Sequence, residues 1–198
     1  MTQNFNKLME QIIAQNKLKG QLPKLLLHSC CAPCSSACLE RVKDAFDLTV
    51  YYYNPNLDSL AEYELRSSEQ LRLCKTLGIK CVVEDFDQQS FLTKVVGLEN
   101  EPEGGARCSV CYALRLEQTS KYAFENGFDY FTTTLSVSPL KDAKRLNQIG
   151  QALAEKYNVK YLPSDFKKQG GYLRSIQLSK QYDLYRQNYC GCSFAKQP

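Results

Sequence analysis

Leu25-Leu26-Leu27-His28-Ser29-Cys30-Cys31-Ala32-Pro33-Cys34-Ser35-Ser36 is a short apolar run that breaks into two adjacent cysteines, with a third cysteine three residues later. The apolar run reads as a buried strand, and the serines after Cys34 as the start of a helix. Strand, tight turn and helix start is the unit from which α/β proteins build their reactive sites. Here the turn carries thiols.

Working outward, the pattern repeats. Phe5, Leu8, Met9, Ile12 and Ile13 fall at helical spacing, so residues 1–24 begin with an amphipathic helix. A helix over about 35–46 follows the thiol turn. Leu48–Tyr53 is β-branched and aromatic, a second strand, closed by Asn54-Pro55-Asn56. Ser59 can cap a helix that Gly78 ends. Strands near 80–85, 130–135 and 160–163 alternate with helices near 89–96, 109–126, 142–157 and 172–186. The segment 98–107, with Asn100, Pro102, Gly104 and Gly105, reads as an exposed, mobile loop. This alternation predicts one α/β domain over residues 1–198, a mainly parallel sheet with helices on both faces. Ligands then bind beyond the carboxyl ends of the strands, where the thiol turn, Asn54-Pro55-Asn56 and the 136–142 loop converge.

The 198 residues suffice for one sizeable core. No window is apolar enough to span a bilayer, and the N-terminus lacks an apolar signal core, so the expected location is the cytoplasm. Ten cysteines in a reducing compartment do not make a disulfide framework. The net charge of +4 is concentrated at the end of the chain: residues 167–198 carry Lys167, Lys168, Arg174, Lys180, Arg186 and Lys196 against Asp183 alone. Tyr172, Tyr182, Tyr185 and Tyr189 are interleaved with them, a composition that suits RNA as well as a solvated basic helix.

The cysteine spacings carry the chemistry. Cys30 and Cys31, with Cys108 and Cys111 at a second helix start, can supply four thiolates, and an adjacent pair suits an iron–sulfur cluster better than a zinc knuckle. Cys34 can bind the same centre, bind a second metal or remain a free thiol. Cys190-Gly191-Cys192 reads as a redox pair or as extra ligands. Cys38, Cys74 and Cys81 read as packing residues. His28, the only histidine, reads as a strand-end side chain bonded to backbone. Arg66, Arg107, Tyr112 and Arg115 can hold anions or donate protons near the thiols. Neither a P-loop nor a dinucleotide fingerprint is present.

Taken together, HSCCAPCS (28–35), YNPN (53–56), EYELR (62–66), RCSVCYALRL (107–116), TTLSVSPLKD (133–142) and GYLRSIQLSKQYDLYRQNYCGCSF (171–194) resemble the QueH-type epoxyqueuosine reductases. The resemblance implies a Rossmann-like, adenine-nucleotide-hydrolase-like fold that does not use ATP. It implies reductive removal of the epoxide oxygen of epoxyqueuosine in tRNA, giving queuosine, with an external electron donor. It also implies a 4Fe–4S cluster on Cys30, Cys31, Cys108 and Cys111, a second mononuclear metal, expected to be iron, and a redox-active disulfide between Cys190 and Cys192. Some family members have an acidic residue where this chain has Cys34, which makes Cys34 the candidate ligand of the second metal. Tyr112 is a candidate proton donor. Two other classes fit the residues alone: a zinc-stapled RNA-binding module without catalysis, and a general iron–sulfur thiol–disulfide reductase.

Overall fold

The computed structural model describes residues 3–187 and 189–195. Its elements are α1 (Phe5–Lys19), β1 (Lys24–His28), α2 (Ala32–Val42), β2 (Asp47–Tyr52), α3 (Leu60–Leu77), β3 (Lys80–Val83), α4 (Gln88–Lys94), α5 (Ala106–Glu125), β4 (Tyr130–Thr133), α6 (Ala143–Tyr157), β5 (Lys160–Tyr161) and α7 (Gly171–Gln181). The five strands form one parallel sheet in the order β3-β2-β1-β4-β5.

Leu25, Leu26 and Leu27 are all fully buried because β1 is the central strand and both faces are covered. Side chains alternate across the sheet. Leu25 and Leu27 enter a core with Met9, Leu39, Val42 and Phe166, while Leu26 enters another with Tyr51, Leu116, Phe131 and Leu146. Local signals place the ends of α3: the Ser59 side chain accepts from Glu62 N, and Gly78 adopts the left-handed conformation that stops the helix.

The order reverses between β1 and β4, so the crevice at the carboxyl end of the sheet opens beside the thiol turn. Three expectations need correction. Helix α2 begins at Ala32 rather than near Ser35, with Pro33 in its first turn, where a missing N–H costs nothing. Helix α7 ends at Gln181, so Arg186 and the cysteines beyond it lie on an irregular segment. The 98–107 loop is tied down: Arg107 Nη1 donates to the carbonyls of Leu98 (3.1 Å) and Glu99 (2.8 Å), and Arg145 Nη1 donates to Gly104 O (2.7 Å). No helix among the described residues is long and apolar enough to cross a membrane.

Candidate active site

Seven of the ten cysteines gather at the carboxyl end of β1 and β4, in two groups. The first group is Cys30, Cys31 and Cys34, whose sulfurs lie within 4.8 Å of one another. The turn achieves this because Cys31 is the extended residue that caps α2, so Cys34 returns to the same side one helical turn later. Cys30 Sγ is 3.9 Å from Cys31 Sγ and 3.5 Å from Thr134 Oγ1, and Cys30 N donates to Thr134 Oγ1 (3.3 Å). Underneath, Gln70 Oε1 accepts from Ser29 Oγ (2.7 Å) and Ser35 Oγ (3.0 Å), fastening both ends of the turn to α3.

Cys30 is the first of the three thiols to ionise. Hydrogen bonds from Cys31 and Cys34 to its sulfur hold it well below the ordinary thiol range, while Cys31 is pushed up to about 12 by the same pairing. His28 is buried, with Nδ1 2.9 Å from Thr133 Oγ1 and Nε2 3.1 Å from the Tyr53 carbonyl. Burial, then Arg115, lowers its pKa to about 3. It is therefore a neutral strut between β1, β2 and β4, as the sequence suggests.

The second group is Cys108, Cys111, Cys190 and Cys192, which line one small inner cavity of about 20 Å3 together with Tyr112 and Arg115. Helix α5 presents Cys108 and Cys111 from its first turns. The C-x-C segment reaches them through contacts with the turn after β2. Asp58 N donates to Gly191 O (2.9 Å), and Gly191 has a φ of +92°. A side chain at Gly191 would collide with Leu57 and come within 2.8 Å of Arg66 Nη1, so only glycine fits there. Cys190 additionally accepts a hydrogen bond from Lys141 Nζ (3.2 Å).

Arg115 stands between the groups. Its Nη1 donates to Asn54 Oδ1 (3.2 Å), and its charge interacts with Cys111, Cys190 and Cys30 strongly enough to raise its pKa against the opposing effect of burial. Arg115 Nη2 and the Tyr112 hydroxyl are buried without a hydrogen-bond partner among the described residues. Both are donors. Two orphaned groups able to donate, beside the four thiols of the inner cavity, are the chemistry expected of a sulfur-rich, anionic occupant. Burial pushes the Tyr112 phenol up to about 12, so it keeps its proton near neutral pH.

Above the thiols lies a cleft of about 940 Å3 whose wall includes Cys30, Cys34, Arg115, Lys141 and Cys190. Arg66, Tyr172, Arg186 and Tyr189 line its outer part. Arg186 stacks on Tyr172 at 5.6 Å and Arg66 on Tyr189 at 5.2 Å. Not all of the terminal basic charge faces the cleft: Arg174 pairs with Glu40 at 2.8 Å. Lys196 lies outside the described residues.

Sequence reasoning brought Asn54-Pro55-Asn56 and the 136–142 loop to the thiols but gave no role to Asn54, Lys141 or Glu103. Lys141 is 7 % exposed and sits where cleft and inner cavity meet, bonded to Glu103 at 2.9 Å. A lysine within S-P-L-K-D carries no sign of burial. Of the remaining cysteines, Cys38 is packed in the core and donates to Cys34 O (3.3 Å), and Cys74 is buried between α3 and β3.

Comparison with known proteins agrees with this fold. The solved structures that resemble the chain include a predicted subunit of tRNA methyltransferase from Methanocaldococcus jannaschii (TM-score 0.56, 15 % identity, 80 % of this chain and 75 % of that one) and the U34-tRNA thiolase NcsA from Methanococcus maripaludis (TM-score 0.59, 15 % identity, 98 % and 69 %). At that identity they establish the α/β fold alone. Proteins named epoxyqueuosine reductase QueH are much closer in sequence. That from Staphylococcus epidermidis is 42 % identical over 97 % of this chain and 84 % of its own length. That from Streptococcus pyogenes is 39 % identical (97 % and 78 %), and that from Thermotoga maritima 34 % (86 % and 89 %). With the family model for epoxyqueuosine reductase QueH matching residues 25–198 as well, the chain belongs to the QueH family.

Proposed function

We propose that this chain is an epoxyqueuosine reductase acting on tRNA as a single cytosolic α/β domain. The observation that carries the reading is the placement of two thiol groups on either side of Arg115 at the floor of a nucleotide-sized, cation-lined cleft. Opening the epoxide and expelling its oxygen as water consumes two electrons and two protons, so a redox centre must adjoin a substrate pocket with proton donors. The electrons come from an external donor.

The donor set fits iron. We assign the 4Fe–4S cluster to Cys30, Cys31, Cys108 and Cys111, supported by the cleft that holds Cys30 and the inner cavity that holds Cys108 and Cys111 meeting at Arg115. Cys34 then binds the second metal, and Cys190 and Cys192 form the redox pair. A second division is favoured by the compactness of the turn. Metal–sulfur bonds of ~2.3 Å in a tetrahedral site bring thiolates to about the spacing found between Cys30 and Cys31. On that division Cys30, Cys31 and Cys34 hold the single metal, and Cys108, Cys111, Cys190 and Cys192 hold the cluster. Bound iron supplies single-electron transfer and an electrophilic centre for oxygen.

The chain's own residues have defined tasks. Tyr112 holds a proton at Oη beside the inner cavity. Lys141 stays cationic, because Cys190, Tyr112 and Glu103 outweigh the effect of its burial, and it presents a fixed positive charge to the cleft. Arg186, Tyr172 and Tyr189 give the nucleic acid a charged and stacking surface around the turned-out base.

The test is anaerobic incubation of iron-loaded protein with epoxyqueuosine tRNA and a strong reductant, followed by nucleoside mass spectrometry. Queuosine is expected. A protein holding zinc, no iron, and giving no queuosine would instead be an RNA-binding module.

A further inference from the structure

Besides Arg115 Nη2, three more buried polar atoms in the cleft wall lack a hydrogen-bond partner among the described residues: Asn56 Oδ1, Arg66 Nη2 and Gln187 Oε1. Asn56 and Arg66 are the deepest of them, each only 2 % exposed. Leaving such an atom unpaired costs about 1–3 kcal/mol. Several of them in one cleft wall are better explained by a ligand that completes them than by imperfect folding.

The Arg66 guanidinium is held on its other sides. Nε donates to Glu62 Oε1 (2.6 Å), Tyr189 stacks on its face at 5.2 Å, and Gly191 packs against Nη1. Nη2 is the edge left over. Asn56 closes the turn after β2 and is placed by the fold rather than by its own side-chain oxygen. The Arg66 orphan donates, and the Asn56 and Gln187 oxygens accept.

We propose that Asn56 and Arg66 read the hydrogen-bonding edge of the target nucleobase, Asn56 Oδ1 accepting from a ring or amino N–H and Arg66 Nη2 donating to a carbonyl oxygen. A ligand that completes both must present a donor and an acceptor. A phosphate offers only acceptors, which the Asn56 oxygen would repel, and the Arg66 charge is already balanced by Glu62. The edge of a guanine-type base has both groups. This inference rests on the reductase reading for its substrate, but not on either division of the thiols.

The test uses Asn56→Ala and Arg66→Lys in iron-loaded protein. Because Asn56 Oδ1 makes no hydrogen bond among the described residues, Asn56→Ala is expected to keep the thermal midpoint and iron content of the wild type. Its KM for epoxyqueuosine tRNA is expected to rise roughly 10- to 100-fold, with kcat changed far less. Guanosine is expected to compete with the tRNA in the wild type and to lose that ability in Asn56→Ala, whereas ribose 5-phosphate competes in neither. An unchanged KM in Asn56→Ala overturns the proposal. So does competition by ribose 5-phosphate in place of guanosine, or a loss confined to Arg66→Lys, either of which would make this wall a seat for phosphate or sugar. Absence of turnover in the wild type would instead count against the reductase reading, and direct titration of the same variants with tRNA would still report on the pair.

Discussion

Lys141 Nζ donates a hydrogen bond to Cys190 Sγ across 3.2 Å, although 49 positions separate the two residues in the chain. The same ammonium holds Glu103 at 2.9 Å and lies 6.0 Å from the centre of the Tyr112 ring. Four segments thus meet at one buried cation: the loop before α5, α5 itself, the loop before α6, and the C-x-C segment.

That meeting point predicts a charge requirement. Lys141→Met should lower turnover by about 100-fold, the usual cost of losing a fixed donor at a reacting centre. Lys141→Arg should recover part of it. Stability should fall by only ~1 kcal/mol, because Glu103 is partly exposed and can be solvated. Single-turnover kinetics and thermal melts of the three proteins check this.

Gly191 makes a steric prediction. Gly191→Ala places a methyl group against Leu57 and Arg66 at a φ of +92°, so the C-x-C segment must lift from its seat. The protein should still fold, because the sheet and its two cores lie elsewhere. Turnover should drop at least tenfold, and alkylation of Cys192, 7 % exposed in the native seat, should accelerate. Mass spectrometry of iodoacetamide-treated protein reads this directly.

The cysteines divide by position. Cys108→Ala or Cys111→Ala should abolish the brown colour and turnover together. Cys38→Ala should keep both and lose about 1–2 kcal/mol of stability, the cost of a small cavity in a packed core. Full iron content and activity in Cys108→Ala would remove that ligand from the site. Cys190→Ser separates the two divisions of the thiols: an intact cluster with failed multiple turnover identifies a redox pair, and a lost cluster identifies a ligand.

Removal of the metal should destabilise the fold locally. Without a cation, the donors Arg115 Nη2 and Tyr112 Oη lack partners among the described residues beside the cavity thiols. Chelation should therefore lower the thermal midpoint and speed amide exchange first at the start of α5 and in residues 189–195, while β1 and β4 remain protected. Uniform exchange across the sheet would count against a site confined to its edge.

The sequence alone determined the α/β alternation, because the 25–27 run, the Ser59 cap and the Gly78 stop are local signals written in adjacent residues. It also singled out the cysteines, since CC-x-x-C, C-x-x-C and C-x-C are short-range spacings with few other uses. Tertiary structure decided how they combine. Residues 30, 108 and 190 come together only because the strand order reverses between β1 and β4 and because the C-terminal segment turns back to dock Gly191 on Arg66. Burial of a charge is likewise a property of the packed chain. The letters bring Arg66, Asn56 and the 136–142 loop to the neighbourhood of the thiols, but only the assembled cleft shows the Lys141 cation bonded to sulfur and a donor and acceptors left without partners among the described residues.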